Sequence, residues 1–267
     1  MKINKIKIVF AVSLMLIFIA CEPIVDEEAL VNNTTVDNVE LVALQSTTGG
    51  NQITLKMNTP GITGHWDYFF GKGLTDRITF NFPLTGTYNF KYKGTLGAEF
   101  FVKTVSVTID VLDHPVAPEW GALLGDDPFA GKNWIYNTDE WAWWYMAAPG
   151  DPNGWAGVWW DANSCCAPGD AGGKMHFYFD PEDGIKYDYY ADPNGTPVNA
   201  NYVLKPADGD FGSIKIIEGE NILGGYNERG KSSGEYTIIS LVDDEFILYA
   251  DVTDAGDSGW TYVFKPE

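Results

Sequence analysis

After residue 40 the sequence repeats one pattern, in which short runs of alternating apolar and polar residues end at Gly, Pro, Asn or Asp. Such alternation has the two-residue period of a strand with one buried face, and there is almost no helical periodicity. The 29 glycines supply the turns that many short strands need. The sequence therefore predicts an all-β protein.

The first twenty residues have the features of a secretion signal. Three lysines lie among the first seven residues, and residues 8–19 form a largely apolar stretch that is short for a membrane span. Residues 18–21, Phe-Ile-Ala-Cys, resemble a bacterial lipobox. This resemblance implies a lipoprotein signal peptide at residues 1–20 and a lipid anchor on Cys21.

Residues 21–40 are acidic and polar without sustained periodicity, which predicts a flexible tether. The cluster Asp26-Glu27-Glu28 resembles the acidic export signals of surface lipoproteins in Sus-type glycan-uptake systems. An ordinary solvated group of charges is the alternative.

Residues 41–113 suit a small immunoglobulin-like sandwich, because they contain several short alternating runs. These runs are Ile53–Met57, Ile78–Phe82, Thr87–Tyr92 and Val105–Val111. The sequence His65-Trp66-Asp67-Tyr68, followed by Phe82-Pro83 and Gly86-Thr87-Tyr88, resembles a PKD domain, which implies a spacer. In that resemblance Trp66 packs between the sheets and Gly86 allows a turn. A ligand-binding Trp66 is the alternative.

Two prolines in residues 112–118 block continued strand pairing and predict a domain boundary. In the second domain, residues 119–267, we predict a hairpin of residues 174–180 and 184–190. A second hairpin joins residues 235–241 to 245–252, and residues 260–264 form a closing strand. This pattern predicts a β-sandwich or jelly roll.

The order of features in the second half resembles the C-terminal module of PKD-containing surface glycan-binding lipoproteins. The matching features are Leu123–Gly125, Gly131–Trp134, the pair Trp143-Trp144 before Pro149, Tyr178–Tyr190, Tyr236–Leu248 and Gly259–Pro266. With the lipobox and the PKD-like region, the resemblance spans nearly the whole chain. It implies a non-catalytic protein, lipid-anchored at the outer-membrane surface, that binds polysaccharide for a Sus-type importer whose components are candidate partners.

Residues 134–160 contain seven of the ten tryptophans. Flat rings stack on the apolar faces of sugars, while nearby carboxylates bind hydroxyl groups. We therefore predict a glycan-binding surface made of Trp134, Trp141, Trp143, Trp144, Trp155, Trp159 and Trp160, with Asp139 and Asp161. Strand alternation places Trp141, Trp143 and Tyr145 opposite Trp144 and Met146, and Trp155 and Trp159 opposite Trp160. Alternation does not decide which face is inward. The residues that we prefer as glycan contacts are Trp134, Trp143, Trp155 and Trp159. A packed core or a protein-binding surface are the alternatives.

The charge of the chain limits the class of ligand. A net charge of -20 disfavours nucleic acid, whose phosphates require Lys and Arg. The same negative field repels anionic glycans, so a neutral β-glucan is the preferred ligand class.

Catalytic patterns are weak in this sequence. There is no Glu-x-Asp-x-x-Glu run of the kind that places two carboxylates on one strand, and Glu218, Glu220 and Asp243–Glu245 are interpreted as loop charges. The three histidines, His65, His114 and His176, fall in three separate regions. We expect no enzymatic activity. A divergent glycoside hydrolase with carboxylates from distant positions, and a structural subunit of a surface complex, are the alternatives.

Loop aspartates and two adjacent cysteines leave further alternatives open. Cys165 and Cys166 form either a vicinal disulfide or two free thiols in an oxidising compartment. We expect no cofactor, but structural calcium is an alternative, because oxygen ligands often lie in such loops. The aspartates concerned, which otherwise form turns, are Asp151, Asp161, Asp170, Asp180, Asp183 and Asp192.

Overall fold

The computed structural model describes residues 35–151, 153–219, 221–225 and 229–267. The chain divides into a unit of residues 1–38, of which a short 3-10 helix at Val36–Asn38 is described, and a unit of residues 39–267 that contains all the sheets. The predicted signal peptide, Cys21 and most of the tether lie outside the described residues. Within the described part of the chain, no helix is long and apolar enough to cross a membrane.

The first part of the larger unit contains two sheets. Its strands are β1 Leu41–Gln45, β2 Gln52–Met57, β3 Thr63–Asp67, β4 Lys72–Gly73, β5 Arg77–Asn81, β6 Gly86–Leu96 and β7 Glu99–Ile109. One sheet has the order β1-β2-β5, and the other has the order β4-β3-β6-β7. The two sheets pack together through aromatic rings, such as Phe80 of β5 and Phe90 of β6, whose centroids are 5.6 Å apart.

The four strands predicted in this part are confirmed as β2, β5, β6 and β7. The prediction that Trp66 is a core residue is also confirmed, because its ring is fully buried beside Tyr92. Gly86 begins β6 with a φ of 130°, a conformation that residues with a side chain rarely adopt.

After the short helix α1, Glu119–Leu124, the second part is one ten-stranded antiparallel sheet. Its strands are β8 Lys132–Tyr136, β9 Trp144–Ala147, β10 Trp160–Asp161, β11 Lys174–Asp180, β12 Gly184–Tyr190, β13 Val198–Lys205, β14 Gly212–Ile217, β15 Glu235–Val242, β16 Glu245–Ala250 and β17 Gly259–Pro266. Strands β11 to β17 follow one another as neighbours, and β8 pairs with both β11 and β17, so eight strands close into a barrel. Strands β9 and β10 extend the sheet beyond β17.

The prediction of an all-β chain is confirmed, but the two packed sheets expected in the second half are replaced by this closed barrel. Both predicted hairpins are present as β11–β12 and β15–β16. Closure leaves the eight barrel strands without a free edge, while β10 remains an edge strand beyond them, and large side chains fill the barrel interior as a packed core. The ring of Phe177 lies 5.2 Å from that of Tyr202 and 6.1 Å from that of Phe246, which in turn lies 5.3 Å from Trp134.

The sandwich and the barrel share a cluster of aromatic side chains. Phe179 of β11 is buried, and its ring lies 5.0 Å from Phe69 and 5.1 Å from Tyr88, both in the sandwich part. Phe70 of the same loop packs against Trp120 of α1 at 4.4 Å. Phe69 has a φ of 70°, which is unfavourable for a bulky residue and is held in place by this packing. The two parts are therefore joined by a common core as well as by the chain.

Candidate functional site at the tryptophan surface

The structure separates the seven clustered tryptophans into a buried and an accessible set. Three are buried, with exposed fractions of 5% or less: Trp134, Trp143 and Trp144. Trp155 and Trp160 are half-buried, while Trp141 and Trp159 expose 68% and 56% of their area. We call Trp141, Trp155, Trp159 and Trp160 the tryptophan surface.

Two of the three buried rings are held by hydrogen bonds, whereas the indole N–H of Trp144 has no hydrogen-bond partner and its ring packs 4.5 Å from that of Trp260. The indole N–H of Trp134 donates to the carbonyl of Leu123 at 3.1 Å, in the barrel interior. That of Trp143 donates to Asn163 Oδ1 at 3.2 Å. Of the preferred contacts, Trp134 and Trp143 therefore belong to the core, whereas Trp155 and Trp159 reach the surface.

Both faces of strand β9 are covered by other residues. This explains why sequence alternation could not identify which face of the strand is exposed. Trp144 lies opposite Tyr262 of β17 and is fully buried. On the other face, Tyr145 is covered by the following loop, because its hydroxyl donates to the carbonyl of Trp155 at 2.7 Å. Loop residues thus cover the side that an isolated sandwich strand would expose.

The predicted strand through residues 155–160 is wrong except at its end. A short 3-10 helix spans Gly154–Ala156, and only Trp160 and Asp161 pair with β9. A side chain at Gly154 would collide with the carbonyl of Ala148, 2.6 Å from the position of its Cβ, so the loop depends on a close backbone approach there. This turn leaves Trp159 projecting at the edge of the sheet.

The accessible rings are anchored at both ends of the β9–β10 pair. The side-chain amide of Asn163 donates to the carbonyl of Trp141 and fixes the loop before β9. At the other end, the backbone N–H of Trp159 donates to the carbonyl of Met146 at 3.0 Å. The register pairs Trp160 with Met146 and Asp161 with Tyr145, so Trp159 directly precedes β10, and Trp141 lies in the bend before β9. The two most exposed rings therefore lie in the segments that lead into the two paired strands.

A cavity of about 220 Å³ is lined by Met146, which lies opposite Trp160 on β10, and by Arg229, Ala255, Asp257, Ser258 and Trp260. The ring of Trp260 lies 5.8 Å from that of Trp160. The guanidinium carbon of Arg229 is 5.4 Å from the ring centre of Trp260 and 5.1 Å from that of Trp144, as in a cation–π contact.

Polar groups in this cavity are arranged by hydrogen bonds. The indole N–H of Trp260 donates to Ser258 Oγ at 3.2 Å, and Ser258 Oγ donates to Asp257 Oδ1 at 3.0 Å. The cavity thus presents a fixed carboxylate acceptor and the guanidinium donors of Arg229 beside an indole. Sequence reasoning missed these residues, because only the pairing of β17 with β9 brings them to the tryptophan cluster.

The two carboxylates predicted at the site have other partners. Asp161 accepts the backbone N–H of Asn163 at 2.8 Å and the hydroxyl of Ser164 at 3.2 Å, so it shapes its own turn. Asp139 is exposed and forms an ion pair with Lys265. Neither carboxylate lines the 220 Å³ cavity.

The remaining loop aspartates mostly form turns. Asp151, Asp180 and Asp192 each accept the backbone N–H two residues further on, at 2.8–2.9 Å. The backbone N–H groups of Asp183 and Glu182 lower the pKa of Asp180. Asp183 instead pairs with Lys186, and the buried Asp170 accepts the hydroxyl of Tyr189 and the N–H of Gly224. Among the described residues, no group of three or more His, Cys, Asp and Glu side chains is placed to hold a metal ion. Structural calcium stays a prediction.

Cys165 and Cys166 are exposed free thiols close to this region. Cys166 has a φ of 61°, an uncommon conformation for a residue with a side chain. A hydrogen bond to the Cys166 thiol is the main cause that raises the pKa of Cys165, and the charge of Arg229 acts in the opposite direction. Cys165 is therefore close enough to Arg229 for the guanidinium charge to affect its pKa. The vicinal disulfide stays a prediction.

The three histidines lie in separate environments. His114 contacts Asp113 at 3.0 Å, and His176 contacts the carbonyl of Ala130 at 2.9 Å. His65 lies on β3 of the sandwich.

The sequence pair Asp243-Asp244 forms the turn between β15 and β16, as predicted. Glu220 lies outside the described residues.

Comparison with protein-family models and with curated proteins returns no match for this chain.

Proposed function

We propose that this chain is a non-catalytic, lipid-anchored protein of the outer-membrane surface that captures polysaccharide for uptake. The lipobox-like sequence at Cys21 supports the anchor, and the order of sequence features supports a PKD-like sandwich before the binding module. The observation that carries the proposal is the exposure of Trp141 and Trp159, at 68% and 56%, in the segments that lead into β9 and β10. Exposed groups of large aromatic side chains commonly mark interaction sites.

In this proposal the sugar chain lies along the tryptophan surface. The four accessible rings stack on the apolar faces of successive sugars. Next to Trp160, Arg229 and Asp257 supply hydrogen-bond donors and an acceptor for hydroxyl groups, and the cavity that they line holds one unit of the chain. Its volume of about 220 Å³ is below the range of about 300–1,000 Å³ found for drug-sized ligands.

A neutral β-glucan remains the proposed ligand class for this surface. The guanidinium of Arg229 and the carboxylate of Asp257 together carry no net charge, which suits a neutral polyhydroxylated chain. The overall charge of -20 adds a repulsive field for polyanions.

Affinity electrophoresis tests the proposal directly. The mature protein should be retarded in gels that contain a neutral β-glucan, and the double variant Trp141→Ala, Trp159→Ala should not. Phe100→Ala is the matched control, since this ring is 66% exposed on β7 of the sandwich. Failure of every polysaccharide in a broad panel to retard the protein would contradict glycan capture. Release of reducing sugar would instead indicate a hydrolase.

A further inference from the structure

Strands β12 and β13 are paired along only part of their length. The ladder joins residues 187–189 of β12 to residues 198–200 of β13. If the same register continued, Lys186 would lie opposite Asn201, and Ile185 opposite Tyr202, but these residues are not paired. Beyond the pair Tyr187 and Ala200, the peptide groups of β12 and β13 that face each other are therefore not part of the ladder.

A cleft of about 440 Å³ occupies the opening between the two strands. Ile185 and Lys186 of β12 and residues 201–203 of β13 form one wall. The other wall comes from the sandwich, with Asp67 of β3, Phe69, and two lysines of β6. Unlike the cavity at the tryptophan surface, this cleft falls within the size range of about 300–1,000 Å³ for small-molecule sites.

Three lysine ammonium groups line this cleft. Lys93 forms a close ion pair with Asp67, at 2.7 Å. Lys186 has a looser pair with Asp183, at 3.6 Å, and the Asp183 side chain is 68% exposed. Lys91 donates to the backbone carbonyl of Glu182, and no carboxylate in the described part of the chain lies within ion-pair distance of it. Lys91 thus has no carboxylate partner and Lys186 has only a weak one, so both ammonium groups can form an ion pair with an incoming anion.

The charge of the cleft differs from that of the protein as a whole. Its three lysines are balanced by three carboxylates, those of Asp67, Glu182 and Asp183, so the formal charge of the cleft is zero. The whole chain, in contrast, has a net charge of -20. A single carboxylate therefore meets close cations without a local excess of negative charge. Peptide N–H and carbonyl groups nearby suit hydroxyl groups, which donate and accept hydrogen bonds.

We propose that this cleft binds a small polyhydroxylated carboxylate, of the uronic-acid class of sugars. The carboxylate lies between the ammonium groups of Lys91 and Lys186. The hydroxyl groups bind the unpaired peptide groups of the two parted strands. This site is separate from the tryptophan surface and does not depend on glycan binding there.

The test is NMR titration of the full mature chain with glucuronate, glucose and inorganic sulfate as probes. Glucuronate should shift the backbone amide signals of Lys186, Asn201 and Val203, with weaker binding as salt is added. Glucose tests the carboxylate requirement, and sulfate tests whether any oxyanion suffices. Binding of glucose or sulfate as tight as that of glucuronate would overturn the proposal, as would the absence of shifts with glucuronate.

Two variants locate the anion and one controls for charge. Lys186→Gln and Lys91→Gln should each weaken glucuronate binding by about 10-fold or more, because each removes a charged hydrogen-bond donor. Lys56→Gln on β2 removes a positive charge from the other sheet of the sandwich and should have no effect. Since Lys186 has only the loose pair with Asp183, its variant should remain folded even where Lys91→Gln does not. Unchanged affinity in Lys186→Gln would contradict the site.

Discussion

Phe179 provides a direct test of whether the sandwich and the barrel fold as one unit. Its side chain is 1% exposed, and its ring contacts Phe69, Tyr88 and Phe129 at centroid distances of 5.0, 5.1 and 6.1 Å. Replacement of a buried phenylalanine by alanine costs about 3–5 kcal/mol, because the transfer free energy is lost and a cavity remains. For a unit of this size, the loss lowers the melting temperature by about 6–20 °C.

Differential scanning calorimetry of wild type and Phe179→Ala gives the measurement. Because Phe179 belongs to the barrel but packs against rings of the sandwich, we expect a single transition that moves down as a whole. The control is Phe100→Ala, whose ring is 66% exposed and whose loss should change stability by no more than about 0.5 kcal/mol.

Two separate calorimetric transitions, of which Phe179→Ala moves only one, would refute this reasoning. The sandwich would then be an independent spacer, as a PKD-like domain on a linker implies. A shift in Phe100→Ala as large as that in Phe179→Ala would show that the aromatic cluster has no special role.

Three further predictions concern single groups. Tyr202→Phe should raise the free energy of unfolding in urea by up to about 1–3 kcal/mol, because it removes a buried hydroxyl without a partner; a loss of stability would show that the hydroxyl is hydrogen-bonded. A hydrogen bond from Thr47 and a second from His114 lower the pKa of Asp113 to about 2, so its contribution to stability is present above the ordinary carboxyl pKa and is lost as the pH falls through about 2. NMR titration should show this midpoint, and Thr47→Ala should raise it; a midpoint near 4 in wild type would contradict the hydrogen bonds. A thiol assay of the reduced mature protein should detect Cys165 and Cys166, and mild oxidation should remove both together if the vicinal disulfide forms; two thiols that persist would exclude it.

Local patterns predicted individual strands well. In β2 and β11, apolar residues alternate with polar ones, and the buried positions of both strands follow that alternation. The hairpin of β11 and β12 was predictable because the turn residues Pro181–Asp183 separate two such runs.

Long-range pairing could not be read from the same patterns. Alternation gives the period of a strand but not its neighbours, and the barrel closes only because β8 pairs with both β11 and β17. The same limitation applies to the tryptophans. Trp144 is buried because β17 lies beside it, and Tyr145 because the loop at Trp155 covers it. The contribution of Arg229 to the cavity likewise depends on contacts between residues far apart in sequence.

Tryptophan fluorescence with a neutral quencher tests the central claim most directly. Acrylamide reaches exposed rings, so a bound neutral β-glucan should protect the wild-type fluorescence by covering Trp141 and Trp159. In Trp141→Ala, Trp159→Ala the protection should disappear, and affinity should fall by about 5- to 150-fold, as expected if each ring contributes about 0.5–1.5 kcal/mol. Glycan binding without protection, or with equal affinity in the double variant, would contradict the assignment of the tryptophan surface as the polysaccharide site.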